Sequence, residues 1–169
     1  MKPTLLLLCC FLLAPAISAQ EIRVRTIVKG KPDLEARVVG RINRHLLDWK
    51  DVTIVSEPGA DLELRIVAIE VASSADGHSY GYALSVVIAQ PLTAHEVASL
   101  AESYPDNAAF MLSYFGGRSL LDEHYLYLAQ PQNLDAQCRA IVEEFNSRHV
   151  EPIRKSRRDA RLLEPRGIR

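Results

Sequence analysis

The chain has 169 residues, with 20 Lys plus Arg against 21 Asp plus Glu, and a formal net charge of −1. Apolar residues make up 48 % of it and charged residues 24 %, a mixture typical of folded globular proteins. This composition excludes a wholly disordered or fibrous chain, and a protein that is basic throughout, as many nucleic-acid binders are.

The first nineteen residues have the layout of a secretory signal peptide. Lys2 precedes an unbroken apolar run over residues 5–13, and small residues follow it. The run is too short for a membrane anchor, which needs about 20 apolar residues. We expect cleavage after Ala19, with Ala16 as the alternative, and a secreted or periplasmic product that is not transmembrane after cleavage.

Cysteine usage adds two expectations. Neither Cys9 nor Cys10 follows a small residue, so we do not expect lipidation. Cleavage leaves Cys138 without a cysteine partner in its own chain, which excludes an internal disulfide. Since Cys138 falls on the apolar side of a predicted helix, we interpret it as a buried, unreactive thiol.

The first half of the mature chain shows strand and helix patterns in turn. A strand over 21–28 is followed by an amphipathic helix over 33–49 and a short strand over 52–56. The apolar stripe of the helix consists of Leu34, Val38, Ile42, Leu46 and Trp49. Gly40 lies inside this helix, where we expect it to allow close packing against a sheet.

Two longer strands follow, over 61–71 and 79–89, and the Asp76-Gly77 turn between them predicts an antiparallel hairpin. In the first of these strands, Leu62, Leu64 and Ile66 mark one face. Ile69 and Val71 fall on the opposite face. We interpret this change of phase as a β-bulge near Ala68.

The second half contains a long excursion over about 92–121, in which two helices are predicted, the first beginning at Thr93 and the second over 108–115. A last strand over 123–129 and a closing helix over 134–150 follow. The closing helix has an apolar stripe of Leu134, Cys138, Ile141 and Phe145. Pro152 is expected to end or kink it.

Together these elements predict an α+β fold. We expect a two-layer sandwich, in which a mostly antiparallel sheet is covered by two amphipathic helices. Residues 20–151 form a single domain in this prediction, and residues 152–169 form a basic C-terminal tail that we expect to be flexible. The excursion over 92–121 is a candidate for function because the scaffold does not need it.

The sequence contains no recognisable catalytic, metal or phosphate-binding motif, so we predict no catalytic residue, metal ligand or cofactor. His95 and the Asp122-Glu123-His124 run flank the excursion. They either meet as a metal or acid–base site or are solvated loop ends. Arg118 follows two glycines and is a candidate for weak anion contact, although a plain turn is the better explanation of this pattern.

Two further sets of residues are candidates for partner contact. The tyrosines Tyr80, Tyr82, Tyr125 and Tyr127 are core residues if helices cover their face, and a binding platform if that face is open. The tail is either a solvated extension or a docking element for an anionic partner, through Arg154, Lys155, Arg157, Arg158 and Arg161. It lacks aromatic residues, so nothing supports specific nucleic-acid binding.

The order of elements resembles that of small envelope modules of Gram-negative bacteria. The resemblance is carried by the helix over 34–49, the segments VTIVS, ADLELRIVAIEV and YGYALSVVI, and the closing LDAQCRAIVEEF. It is a likeness of architecture to the amino-terminal domain of the Tol-system β-propeller protein and to the lipopolysaccharide-assembly lipoprotein. It implies a non-catalytic module that binds envelope partners, and it assigns no site residues.

The sequence therefore predicts a non-catalytic interaction or envelope-assembly module, secreted or periplasmic. Its expected partner is an unidentified envelope protein or an anionic surface. Two alternatives stay open. One is a carrier that holds a small apolar ligand or lipid between sheet and helices, and the other is a hydrolase that uses His95 or His124.

Overall fold

A computed structural model describes residues 21–56, 59–92, 94–115 and 119–163. The described chain has an α+β fold, in which helices accompany one mixed five-stranded sheet. The elements in chain order are β1 (Ile22–Gly30), α1 (Pro32–Leu46), β2 (Val52–Ile54), β3 (Leu62–Ala72), β4 (Ser79–Pro91), α2 (Ala94–Ser103), α3 (Ala108–Phe115), β5 (Ser119–Ala129), α4 (Leu134–Phe145) and α5 (Glu151–Leu163).

The strands lie in the order β2-β1-β3-β4-β5. The predicted antiparallel hairpin is present as β3 and β4, and β5 continues it in antiparallel pairing. However, β1 is parallel to both β2 and β3, so the sheet is more mixed than the sequence predicts. The reason is that α1 carries the chain back along the sheet between β1 and β2, and such a helical crossover joins parallel strands.

One face of the sheet is covered by α1 and α4, which also pack against each other. The predicted stripes of both helices are buried there, except that Trp49 lies beyond the end of α1 and is only half-buried. Val38, Ile42 and Phe145 have no exposed surface. Burying one such side chain contributes about 1.5–3 kcal/mol, so this layer is the main source of stability.

Gly40 does not have the packing role that we expected. It is exposed on α1, and a methyl group at its Cα would meet no atom within 4 Å. The stripe that packs against the sheet consists of larger residues on the other side of the helix. Gly40 therefore lies on the solvent side of the helix.

The closing helix continues past Pro152, at which the sequence predicts an end or a kink, and its geometry changes just before this residue. Residues Asn146–Val150 form a turn of π-helix, in which the Glu151 amide donates to the Asn146 carbonyl. Pro152 is then the second residue of α5, and a proline is tolerated in the first turn of a helix. Residues 152–163 of the region that we expected to be flexible are thus helical, and residues 164–169 lie outside the described part.

Candidate functional site

The second face of the sheet, here called the open face, has no helix over its central part among the described residues. Side chains alternate along a strand, so the residues between the core positions point to this face. On β3 these are Val67, Ile69 and Val71, which are 46 %, 56 % and 43 % exposed. On β5 they include Leu126 and Leu128, at 68 % and 72 %. We call these five residues the apolar rows.

Strand β4 runs between the apolar rows and carries small side chains. Ile69 pairs with Ala83, which pairs with Leu128, while Val67 pairs with Ser85, which pairs with Leu126. Two ridges of large apolar side chains therefore flank a trough floored by alanine and serine. At one end the trough widens into an open depression of about 260 Å³, lined by residues of β3, β4 and β5.

Gly81 forms the floor of this depression. Its φ angle of +149° is one that L-residues with a side chain rarely adopt, and an added Cβ would collide with the Ala129 carbonyl oxygen. The backbones of β4 and β5 approach each other closely at this point. The trough thus depends on glycine at this position.

The apolar rows form a large exposed patch. Together they present on the order of 500 Å² of apolar surface, which is within the range of about 300–600 Å² for the largest patch on a typical monomer, and such a patch is often functional. Because they lie on strands of the central sheet, their arrangement is rigid. The open face therefore has the shape and composition of a contact surface.

The part of the open face next to the apolar rows is basic. Arg23, Arg25 and Lys29 lie on β1, and Arg65 lies on β3. Glu63 is the one carboxylate among the open-face positions of these two strands in the described chain. It is only 5 % exposed, and it is paired with Arg25 at 3.4 Å and with Arg65. The surface is left with a net positive charge.

A serine–histidine pair also lies on the open face. Ser85 Oγ and His124 Nε2 are 2.9 Å apart. A hydrolase of this type needs an acid to orient the histidine and a site for the substrate carbonyl. Within the described chain no carboxylate lies within ion-pair distance of His124, and the pair stands on an exposed strand surface instead of a sharp turn. The geometry gives this pair no means of activating the serine.

The described residues that flank the excursion, Asp122, Glu123 and His124, do not converge as one site. Asp122 and Glu123 instead approach the buried His149, with distances of 2.9 Å to its Nδ1 and 3.1 Å to its Nε2. His124 points to the opposite face, and the His95 side chain lies outside the described residues. Among described side chains, no group of three or more His, Cys, Asp or Glu is arranged to hold a metal ion.

Three of the four candidate tyrosines lie on the helix-covered face. Tyr82 is buried and accepts a hydrogen bond from Arg37 at 3.2 Å, and Tyr125 is half-buried against the core. Tyr127 donates to Glu144 at 2.5 Å, and burial together with this carboxylate raises the pKa of its phenol above the usual value. Tyr80 is exposed at the rim of the trough. Arg118 lies outside the described residues.

The candidate cations of the tail divide into two groups. Arg154 and Arg157 point inward, where they pair with Asp51 and Asp61 at the starts of β2 and β3. Their charge is used to hold α5 against the body. Lys155 and Arg158 are exposed, and the Arg161 side chain lies outside the described residues.

Cys138 lies in the apolar stripe of α4 with no exposed surface. Burial raises the pKa of its thiol to about 11. A thiol in this state is a poor nucleophile at neutral pH. Its role is in packing.

The excursion forms the two predicted helices, α2 and α3, here called the helical hairpin. Val97 and Ala101 are buried, and α2 and α3 pack against each other. On its outer surface Phe110, Leu112 and Tyr114 are about half exposed, and the Phe110 and Tyr114 rings are stacked with centroids 5.2 Å apart. The hairpin is thus a second apolar surface, separate from the open face.

Sequence reasoning missed the apolar rows. The signal was present, because residues 66–69 and 125–128 are apolar on both sides of the strand. We interpreted the first of these segments as a phase slip with a bulge near Ala68. The register is in fact unbroken there, and the irregularity lies between Val71 and Ala72. Apolar residues on both faces of a strand indicate two packed faces, one of which the described residues leave uncovered.

Comparison with protein-family models found no match, and comparison with curated proteins found none either. Within the described residues, none of the helices is both long enough and apolar enough to cross a bilayer.

Proposed function

We propose that this protein is an exported, non-catalytic interaction module that binds a protein partner on the open face of its sheet. The observation that carries the proposal is the exposure of the apolar rows on strands whose other face forms the core. Water contact with such a surface is unfavourable, and covering it recovers about 25 cal/mol per Å². For this patch that is on the order of 10 kcal/mol before the costs of association.

Because association itself costs about 4–15 kcal/mol, the apolar rows alone give at most weak binding. The cations beside them add electrostatic complementarity, which selects the partner and speeds the encounter more than it raises the affinity. A partner for this face therefore has an apolar surface next to carboxylates.

The proposal includes export, which is supported by the leader pattern of residues 1–19, outside the described part of the chain. Mass spectrometry of the protein recovered from cells should find a chain that begins at Gln20, or at Ile17 if the alternative cleavage is used. A full-length chain that retains Met1 and remains in the cytoplasm would contradict this part.

A catalytic function receives no comparable support from the described residues. The Ser85–His124 pair lacks an orienting acid, and the Cys138 thiol is buried. A carrier would hold its ligand between the layers, but there the side chains of Val24, Leu64 and Leu84 are fully buried and in close contact. The resemblance to envelope interaction modules also supports an interaction module over an enzyme or a carrier.

The experiment that tests the proposal is photo-crosslinking in intact cells. A photoreactive amino acid is placed at Leu126 or at Ile69 on the open face, and at Leu47 in the helix layer as the control. Leu47 is 62 % exposed, close to the 68 % of Leu126, so chance collisions should label both positions equally. We expect a discrete adduct from the open-face positions alone. No adduct from them, or the same products from Leu47, would contradict the proposal.

A further inference from the structure

We infer that the partner on the open face is the helical hairpin of a second copy of this chain. The inference rests on the proposed function, because it takes the open face as the binding surface and names what covers it. Both surfaces are exposed on the same chain, so the hairpin does not cover the open face of its own molecule. Each is therefore available to a neighbouring copy.

The two surfaces match in apolar character. The apolar rows are aliphatic ridges with a trough between them, and the hairpin presents Phe110, Leu112 and Tyr114 from one short helix. Helix α3 has no charged residue in its eight positions. Phe110 and Tyr114 are four residues apart and lie on one face of α3 with their rings stacked, and a pair of this kind fits a trough between two ridges, as helix anchors do in other apolar grooves.

The two surfaces are also complementary in charge. The segment over 92–117 contains no Lys or Arg, but it contains Glu96, Glu102 and Asp106. The open face carries Arg23, Arg25, Lys29 and Arg65 against the single carboxylate Glu63 on the same two strands. Acidic groups beside an apolar helix thus meet basic groups beside an apolar trough. This is the partner chemistry that the open face requires.

A two-fold arrangement satisfies both copies at once. If the hairpin of one copy lies on the open face of its partner, the symmetry operation places the partner's hairpin on the first open face. Each contact then joins roughly 500 Å² of sheet surface to a hairpin surface of similar size. Two such contacts bury on the order of 2,000 Å², which is enough for a stable dimer.

The test uses sedimentation velocity of the purified protein and two single variants. Leu126→Glu places a charge on the open face, and Phe110→Glu places one on the hairpin. Since both side chains are more than half exposed, neither change should disturb folding, which circular dichroism verifies. We expect the unmodified protein to be a dimer, and each variant to dissociate at least about tenfold more readily. Leu47→Glu is the control and should remain a dimer.

Mixing the two variants gives the decisive result. A mixed dimer keeps one intact contact, because the hairpin of the Leu126→Glu chain is unmodified and so is the open face of the Phe110→Glu chain. We expect an equimolar mixture to recover dimer that neither variant forms alone. Two open faces packed together, or two edge strands paired, would give no recovery.

Three results would overturn the inference: an unmodified protein that is monomeric at about 100 µM, dimers that persist in both variants, and a mixture that shows no recovery. The crosslinking experiment separates this failure from that of the proposed function. If the protein is monomeric and crosslinks through Leu126 to a different protein, the proposed function is supported and the inference of a dimer is contradicted. If it is monomeric and gives no adduct, both are contradicted.

Discussion

Arg154 of α5 binds both carboxylate oxygens of Asp51, with Nε–Oδ2 and Nη2–Oδ1 distances of 2.6 Å each. The Arg154 guanidinium also lies over the Trp49 ring, 5.8 Å from its centroid. Asp51 immediately precedes β2, so the pair ties the C-terminal helix to the end of the sheet where that strand begins. The paired fork and carboxylate form the geometry in which arginine binds most strongly.

The first prediction concerns the stability that this pair provides. Because Arg154 is 20 % and Asp51 is 32 % exposed, solvent screens the pair only in part. Arg154→Ala should lower the free energy of unfolding by about 2 kcal/mol. Arg154→Lys should recover only part of the loss, since lysine cannot form the two parallel bonds.

Urea unfolding followed by circular dichroism measures both variants. Lys155→Ala is the matched control, because it removes an exposed neighbouring cation of the same helix and should leave the unfolding midpoint unchanged. Equal effects of Lys155→Ala and Arg154→Ala would show that the tail is held by its general charge and not by the Arg154–Asp51 pair.

The second prediction is the pH dependence of the same pair. The hydrogen bonds from Arg154 hold the pKa of the Asp51 carboxyl below its usual value of 3.8. A carboxyl whose pKa is lowered by folding stabilises the folded state above its unfolded pKa, and the contribution disappears as the pH falls through the folded pKa.

The stability difference between the unmodified protein and Asp51→Asn should therefore be constant from about pH 7 to 5 and should shrink below about pH 4. Urea titrations at several pH values measure this difference. A difference that grows as the pH falls would have the wrong sign for a carboxylate held by Arg154.

The third prediction contrasts two glycines. Gly40 is in an exposed helix interior with free space around it, so Gly40→Ala should raise stability by about 0.5–1 kcal/mol. Gly81 has a φ of +149° and no room for a Cβ beside the Ala129 carbonyl, so Gly81→Ala should lower stability. Thermal unfolding of the two variants should give shifts of opposite sign, and shifts of the same sign would contradict this account.

The fourth prediction concerns Cys138, which has a thiol pKa raised to about 11 by burial. At pH 8 the folded protein should react with a thiol reagent far more slowly than the same protein in concentrated urea. Mass spectrometry of the chain without its leader measures the labelled fraction directly. Rapid labelling of the folded chain would mean that α4 does not hold this side chain in the core.

The sequence predicts the elements well because the buried stripes have clear periods. Val38 and Ile42 on α1, and Cys138 and Phe145 on α4, follow helical spacing and are buried as expected. The parallel pairing of β1 was harder to predict, since the alternation of residues along a strand does not show the direction of that strand relative to its neighbours. It depends on where α1 returns the chain, which is a property of the whole fold.

The open face could not be identified from periodicity alone. Ile69 and Val71 are as apolar as the core residues Leu64 and Ile66, and only burial separates the two sets. The same limit applies to Arg154. From the sequence, a basic residue after Pro152 is predicted to belong to a solvated tail, and only the structure shows that Asp51 lies beside it. In both cases the decisive contact joins residues that are distant in sequence.

The central claim is that the open face is covered when the protein is in its natural setting. Hydroxyl-radical footprinting tests this claim most directly, by comparing oxidation in intact cells with oxidation of the purified protein at high dilution. The account predicts that Leu126, Leu128 and Ile69 are protected in cells and oxidised when diluted, while Leu47 is oxidised equally in both. Equal oxidation of the open-face residues under the two conditions would contradict it.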